Sequence, residues 1–324
     1  VLVVVAAFVG ETVATANTPL LAYLKDPLLL PLFMGTYGGP ALLIRDAWAR
    51  GWIGWPGALL AGVAYTAFNE GVVADTWFSP HALDLSPFRL GRAGGVNWCL
   101  VAGLCLFHTV VSMGIPIAVV GLWRGDRPLV PWLRAASAIA AAAVPAILVA
   151  VVALAPRVPD QGARTLAAAV MVAAVCGARL APRPVSRPRR GAPSRRRAYV
   201  TGLGFGTAFF ALFLVVPAWL GIATVPLDLV LAGLVVRFIV RAAATHGWND
   251  EHWVALIAGG LTCSMMINLL LVAELQPVVT VAAVICLVAL DRQVRARAAS
   301  RGSAIRATSH RTLMNRSSQG RGAG

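Results

Sequence analysis

Glu11, Glu70 and His108 each sit near the middle of an apolar run long enough to cross a bilayer, in a chain whose other charges lie almost entirely between such runs. An ionisable group at membrane depth costs at least ~2.5–3.5 kcal/mol to insert, so such a residue marks a functional site by default. Carboxyl and imidazole groups brought together can share or relay a proton, or act as a base beside a ligand. Their spacing says how they meet. Gly62, Thr66 and Glu70 recur every four residues and so lie along one helix face, with Asn69 beside them. Small residues on that face let a neighbouring helix approach closely. In the following apolar run Leu104, His108 and Ser112 share a face. If the two runs are antiparallel neighbours joined by an outer loop, Glu70 and His108 reach similar depths and a contact is geometrically possible. Glu11, Thr15 and Thr18 form a further polar stripe on the first run.

The second run carries GTYGGP, Gly35 to Pro40, at its centre. Pro40 cannot donate to the carbonyl of Thr36, and three glycines beside it loosen the helix further. Irregular backbone at this depth is tolerated only where it is buried or lines a wet cavity, and broken helices of this kind form binding sites in transporters. The site expected from sequence therefore has Glu70 and His108 at its chemical centre. Glu11, Asn69, Thr66, Ser112, Gly38, Gly39 and Pro40 are the expected binding residues, with no metal and no cofactor.

These residues must be held by membrane helices. The 324-residue chain is 58% hydrophobic and 13% charged, with a mean hydropathy of +0.75, whereas a soluble domain is about 25% charged. Runs of about 20 apolar residues fall near 1–22, 27–44, 53–78, 96–121, 132–155, 163–181, 199–221, 226–243, 253–273 and 276–290. The expected fold is thus an all-α, polytopic transmembrane helix bundle of about ten spans. The stretch around Ala14-x-Ala16 is read as part of a retained first span, because Glu11 interrupts it and the run continues through Leu20 and Leu21. Basic residues number 28 against 13 acidic, for a net charge of +15. Arg45, Arg50, Arg124, Arg127, Arg134, Arg179, the run Arg183 to Arg197, Arg237, Arg241 and the tail from Arg292 fall on one side. Lys25, Arg89, Arg92, Arg157 and Arg164 fall on the other. By the positive-inside rule both termini are expected to be cytoplasmic.

Four parts follow: a six-span part at 1–181 carrying the polar site, a basic cytoplasmic loop at 182–198, a four-span part at 199–290, and a basic tail at 291–324 expected to be disordered. The expected partners are membrane lipids, with anionic headgroups at the loop and tail, and an unidentified small molecule or ion as substrate. Nucleic acid is excluded, since neither basic segment carries stacking aromatics apart from Tyr199 at the loop's end. The five cysteines lie inside apolar runs without Cys-x-x-Cys spacing and read as small buried hydrophobes. Gly260, Ser264 and Asn268 share a face suited to interhelical packing, and Trp248 and Trp253 suit interfacial anchoring. The glycines of GLGFG, Gly202 to Gly206, have the wrong spacing for a dinucleotide fingerprint. Arg45 and Asp46 are expected to set topology or to meet helix ends or headgroups.

The segments Glu11 to Pro19, YGGPALLIRD from Tyr37, GWPGALLAGVAYTAFNEG from Gly54 and NWCLVAGLCLFHTVVSMGIPI from Asn97 resemble an uncharacterised family of prokaryotic multi-pass membrane proteins over roughly residues 10–133. That resemblance implies a bacterial cell (inner) membrane and brings no activity. Asn69-Glu70 with His108 is also similar to the Glu-Glu and histidine elements of CAAX/Abi-type intramembrane metalloproteases, although Asn69 stands where their first Glu would be. It implies Glu70 as base and His108 as metal ligand. Three functions are compatible with these residues: a proton-coupled transporter or permease, a degenerate intramembrane hydrolase, and a non-catalytic structural or interaction protein.

Overall fold

The computed structural model describes residues 1–14, 18, 20–80, 90–125, 130–154, 161–181, 191–271 and 276–319. Helices dominate. In order they are α1 (Leu2–Phe8), α2 (Leu20–Lys25), α3 (Leu29–Phe33), α4 (Gly39–Ala49), α5 (Trp55–Thr66), α6 (Trp98–Phe107), α7 (Ile115–Arg124), α8 (Ala135–Leu154), α9 (Gln161–Leu180), α10 (Arg195–Phe210), α11 (Pro217–Leu220), α12 (Thr224–Ala243), α13 (Asp250–Leu271) and α14 (Gln276–Gln319). A two-residue antiparallel ribbon, β1 (Arg92–Ala93) with β2 (Val96–Asn97), precedes α6. Asn97 then caps α6 by accepting from the Leu100 amide at 3.2 Å.

Several helices are continued by π-helical turns: π1 (Val9–Val13), π2 (Met34–Gly38), π3 (Ala67–Val73), π4 (His108–Gly114) and π5 (Ala211–Val215). Among the described residues, five helical stretches are long and apolar enough to cross a membrane: Trp98–Arg124, Arg195–Val215, Pro217–Ala243, Asp250–Leu270 and Gln276–Ser300. Leu229, Val230 and Leu234 on α12, and Val281, Ile285 and Val288 on α14, are exposed. Apolar faces of this kind need lipid rather than water against them, and the chain is a helical membrane protein.

Helical backbone also occurs in each of the other ranges expected to cross, with differences in extent. The first helix ends at Val13 rather than running to 22; Thr18 then folds back, its amide donating to the Glu11 carbonyl at 3.2 Å. The second run is widened by π2 rather than broken at Gly35–Pro40, and helical backbone passes from π2 through Pro40 into α4. The last helix reaches Gln319, well into the segment expected to be disordered. That segment is rich in alanine and arginine, both strong helix formers, and has no proline after Pro277. Two of the cysteines, Cys176 and Cys286, are exposed rather than buried.

Of the apolar clusters among the described residues, one gathers Leu2, Ala6, Tyr37, Ala41, Ile44, Tyr65, Phe68, Met113, Ile117 and Val120 from the first four runs. Another joins Ile115 and Leu122 of α7 to Val254, Ile257, Leu261, Met265, Leu290 and Val294 of α13 and α14, so the first and second halves of the chain share a core. Within the second part α10 and α13 pack backbone to backbone. A side chain at Gly202 would collide with the Leu256 carbonyl, and one at Gly259 with the Tyr199 carbonyl. Gly202 and Gly206 of GLGFG, the latter against the Gly260 carbonyl, are therefore a close-packing device, as small residues are in membrane bundles.

Candidate functional site

Four of the π segments converge on one buried polar cluster. π1 carries Glu11, π2 Tyr37, π3 Asn69 and Glu70, and π4 His108 and Ser112. A π turn adds a residue to the helix, re-aims the side chains around it, and occurs often at functional sites. Gly10 abuts the Tyr37 ring and the Ser112 hydroxyl, and Gly62 abuts Thr109, so glycine lets the first and third runs press against the fourth.

Glu70 and His108 touch. Glu70 Oε1 lies 2.8 Å from His108 Nε2, and His108 Nδ1 lies 2.9 Å from Ser112 Oγ. Asn69 Nδ2 donates to Glu70 Oε1 at 2.7 Å, and Thr76 Oγ1 donates to Glu70 Oε2. Glu70 and His108 are only 7% and 3% exposed, so each polar atom must find its partner inside the protein. The arrangement accommodates a proton on either side of the Glu70–His108 bond. With Glu70 ionised, Nε2–H donates to it, and Nδ1 can accept from the Ser112 hydroxyl. When the pair takes up one further proton, Glu70 is neutral and its carboxyl donates to Nε2, while the single ring proton sits on Nδ1 and donates to Ser112 Oγ. A hydroxyl can reverse its role in this way because it is both donor and acceptor.

Glu11 forms a second station. Tyr37 Oη donates to Glu11 Oε1 and Thr18 Oγ1 donates to Oε2 at 3.2 Å. The Tyr37 and Tyr65 rings fill the space between the stations: Tyr37 lies 5.6 Å from Tyr65, and they lie 5.9 and 5.5 Å from the His108 ring, centroid to centroid. The carbonyls at the end of π1 would be orphaned inside the bundle, and the second half of the chain supplies their donors. Ser264 Oγ donates to the Ala14 carbonyl at 2.5 Å, Asn268 Nδ2 to Val13 at 2.7 Å, and Gln276 Nε2 to Thr12 at 2.6 Å.

The expected residues thus divide. Glu11, Asn69, Glu70, His108 and Ser112 meet in the cluster. Thr66 lies on the same helix, fully buried, but spends its hydroxyl on the Gly62 carbonyl at 3.0 Å. Gly38 and Gly39 open no cavity: Gly38 is packed against Val3 of α1 and Gly39 against the Ala141 carbonyl of α8. Thr15 lies outside the described residues. Tyr37, Tyr65, Thr76 and Gln276 were not expected. The signal for the two tyrosines was position, since Tyr is enriched at membrane interfaces and both lie deep within apolar runs.

Arg45 and Asp46 spend their side chains inside the protein. Arg45 is fully buried, donates to the Val130 carbonyl at 2.5 Å and stacks 3.3 Å above the Trp132 ring. Asp46 accepts from the Trp132 and Leu133 amides at 2.9 and 3.1 Å and from Arg50 Nε at 2.5 Å. The pair clasps segment 130–133 rather than meeting lipid headgroups. Burial by itself would raise the Asp46 carboxyl, but the hydrogen bonds from Arg50, Leu133 and Trp132 outweigh it and hold the group below the usual aspartate range.

Among the described residues no group of three or more His, Cys, Asp or Glu side chains is placed to hold a metal ion. His108, moreover, has both ring nitrogens engaged. No protein-family model, curated protein or solved structure matches this chain.

Proposed function

We propose that the protein is a proton-coupled transporter or permease in which Glu70 and His108 exchange the coupling proton. The observation that carries this reading is the 2.8 Å bond between Glu70 Oε1 and His108 Nε2, backed by Ser112 on Nδ1. Intramembrane acid and histidine chains of this kind serve as proton relays in pumps and transporters. Glu11 with Tyr37 is the second proton-accepting station. The substrate is a small molecule or ion that binds among these groups, and its binding alters which of the two carboxyls is better served by donors.

The test is uptake by proteoliposomes, acid outside, from an isotopically labelled metabolite extract. A compound that accumulates only with the pH gradient in wild type, and in neither Glu70→Gln nor His108→Gln, supports the reading. Accumulation that ignores the gradient, or survives both substitutions, sinks it. A metal-dependent hydrolase would instead need His108 to release Glu70 or Ser112; elemental mass spectrometry of purified protein, in which we expect no stoichiometric metal, separates the two.

The topology proposed with this function has ten spans, both termini in the cytoplasm of a bacterial cell, and the basic segments against anionic headgroups. Reporter fusions active only on the outer side of the membrane should be silent after residue 190 and at the C-terminus, and active after residue 85.

A further inference from the structure

We infer that Asp228, Thr224 and the chain reversal at Gly221 form a binding site for a small monovalent cation. Asp228 lies within the membrane-length stretch Pro217–Ala243, is 3% exposed, and its Oδ1 has no hydrogen-bond partner among the described residues. A buried carboxyl oxygen without a donor is costly to keep unless something arrives to meet it. Thr224 is one turn earlier on the same face and fully buried; its hydroxyl turns to the Cys99 sulfur, and its oxygen accepts no hydrogen bond from the described residues. Both face the start of α6, where Cys99 is their common neighbour. The Cys99 thiol spends its proton on the Gly221 carbonyl at 3.3 Å, which leaves the oxygens of Thr224 and Asp228 without that donor.

The backbone nearby is irregular in the way a cation site requires. Gly221 has φ +52, a value a side chain would make strained, and a Cβ there would lie 2.9 Å from the Leu90 carbonyl oxygen. The helix therefore stops at Leu220, reverses, and restarts through a single 3₁₀ turn, Gly221–Ala223, before α12. Carboxylate, hydroxyl and carbonyl oxygens at an unwound helix are the donor set that coordinates Na⁺ in transporters. Charge selects the valence. One carboxylate balances one positive charge, whereas a divalent ion would leave a net charge buried. The site lies on α6 and α12, apart from Glu70 and His108, and does not rest on the transport reading.

The experiment is thermal unfolding of the detergent-purified full chain, followed by tryptophan fluorescence, in choline chloride and in NaCl, LiCl and KCl at constant ionic strength. One alkali cation should raise the midpoint saturably while the others do not. Asp228→Asn should abolish that increment, and Thr224→Val should weaken the apparent affinity roughly tenfold. The increment, not the baseline, is the readout, because removing a buried carboxylate alters stability by itself. Identical midpoints in all four salts for wild type, or an increment that survives in Asp228→Asn, would overturn the site. Should Asp228→Asn fail to fold, the wild-type series and Thr224→Val still decide the matter.

Discussion

Deleting a single hydroxyl isolates the second station: Tyr37→Phe keeps the ring that packs between Glu11 and His108 and removes the donor to Glu11 Oε1. We expect a loss of about 1–3 kcal/mol, the cost of an unsatisfied buried acceptor, in denaturant titrations of the detergent-solubilised protein. His108→Ala should cost more, about 3–5 kcal/mol, because it leaves a buried carboxylate short of its charged partner. Asp46 gives a pH signature with the opposite setting. Its carboxyl is held below the ordinary aspartate value in the folded chain, so its contribution is present above about pH 3.9 and is lost as pH falls through the depressed folded value. Wild type should therefore be more stable than Asp46→Asn at neutral pH, and the two unfolding midpoints should converge under acid. Equal midpoints at every pH would mean that the clasp on segment 130–133 adds nothing. At this scale the sequence was informative where chemistry is rare. A carboxyl or imidazole inside an apolar run announces itself, whereas Tyr37, Tyr65 and Arg45 acquire their roles only from what packs against them.

Helices reveal themselves through apolar length, and their contacts do not. The ranges expected to cross all contain helical backbone, yet the π turns that gather the site carry no pattern of their own; they arise where two helices must offer polar side chains to one point. Asp228 escaped notice because it lies only two residues inside the expected start of its span at 226, where an acid passes for a boundary charge. Glycine spacing was similarly ambiguous until partners were known. Gly202 faces the Leu256 carbonyl of α13, while Gly204, on the same helix, has nothing within 4 Å. Gly202→Ala should thus push α10 from α13 and lower the thermal midpoint. Gly204→Ala should be neutral or gain up to about 1 kcal/mol from helix propensity. If both substitutions behave alike, the two helices are not held by backbone contact.

The molecule as a whole is joined by its ends. Ile115 and Leu122 on one side, and Leu261, Met265 and Leu290 on the other, share a core, and the carbonyls of Thr12, Val13 and Ala14 take their donors from Gln276, Asn268 and Ser264. Those partners are 264, 255 and 250 residues apart in the chain. At a synthesis rate of about 5–20 residues per second, the start of the protein waits roughly 12–50 s for groups that the ribosome has not yet made. During that interval the end of the first helix holds carbonyl acceptors whose donors do not yet exist, in a place that offers them no water. Nascent chains arrested before Ser264 should leave their first helix extractable by alkali, and chains long enough to expose Gln276 beyond the ribosome should not. The order of assembly would then run against the order of translation, with the amino-terminal helix seated last.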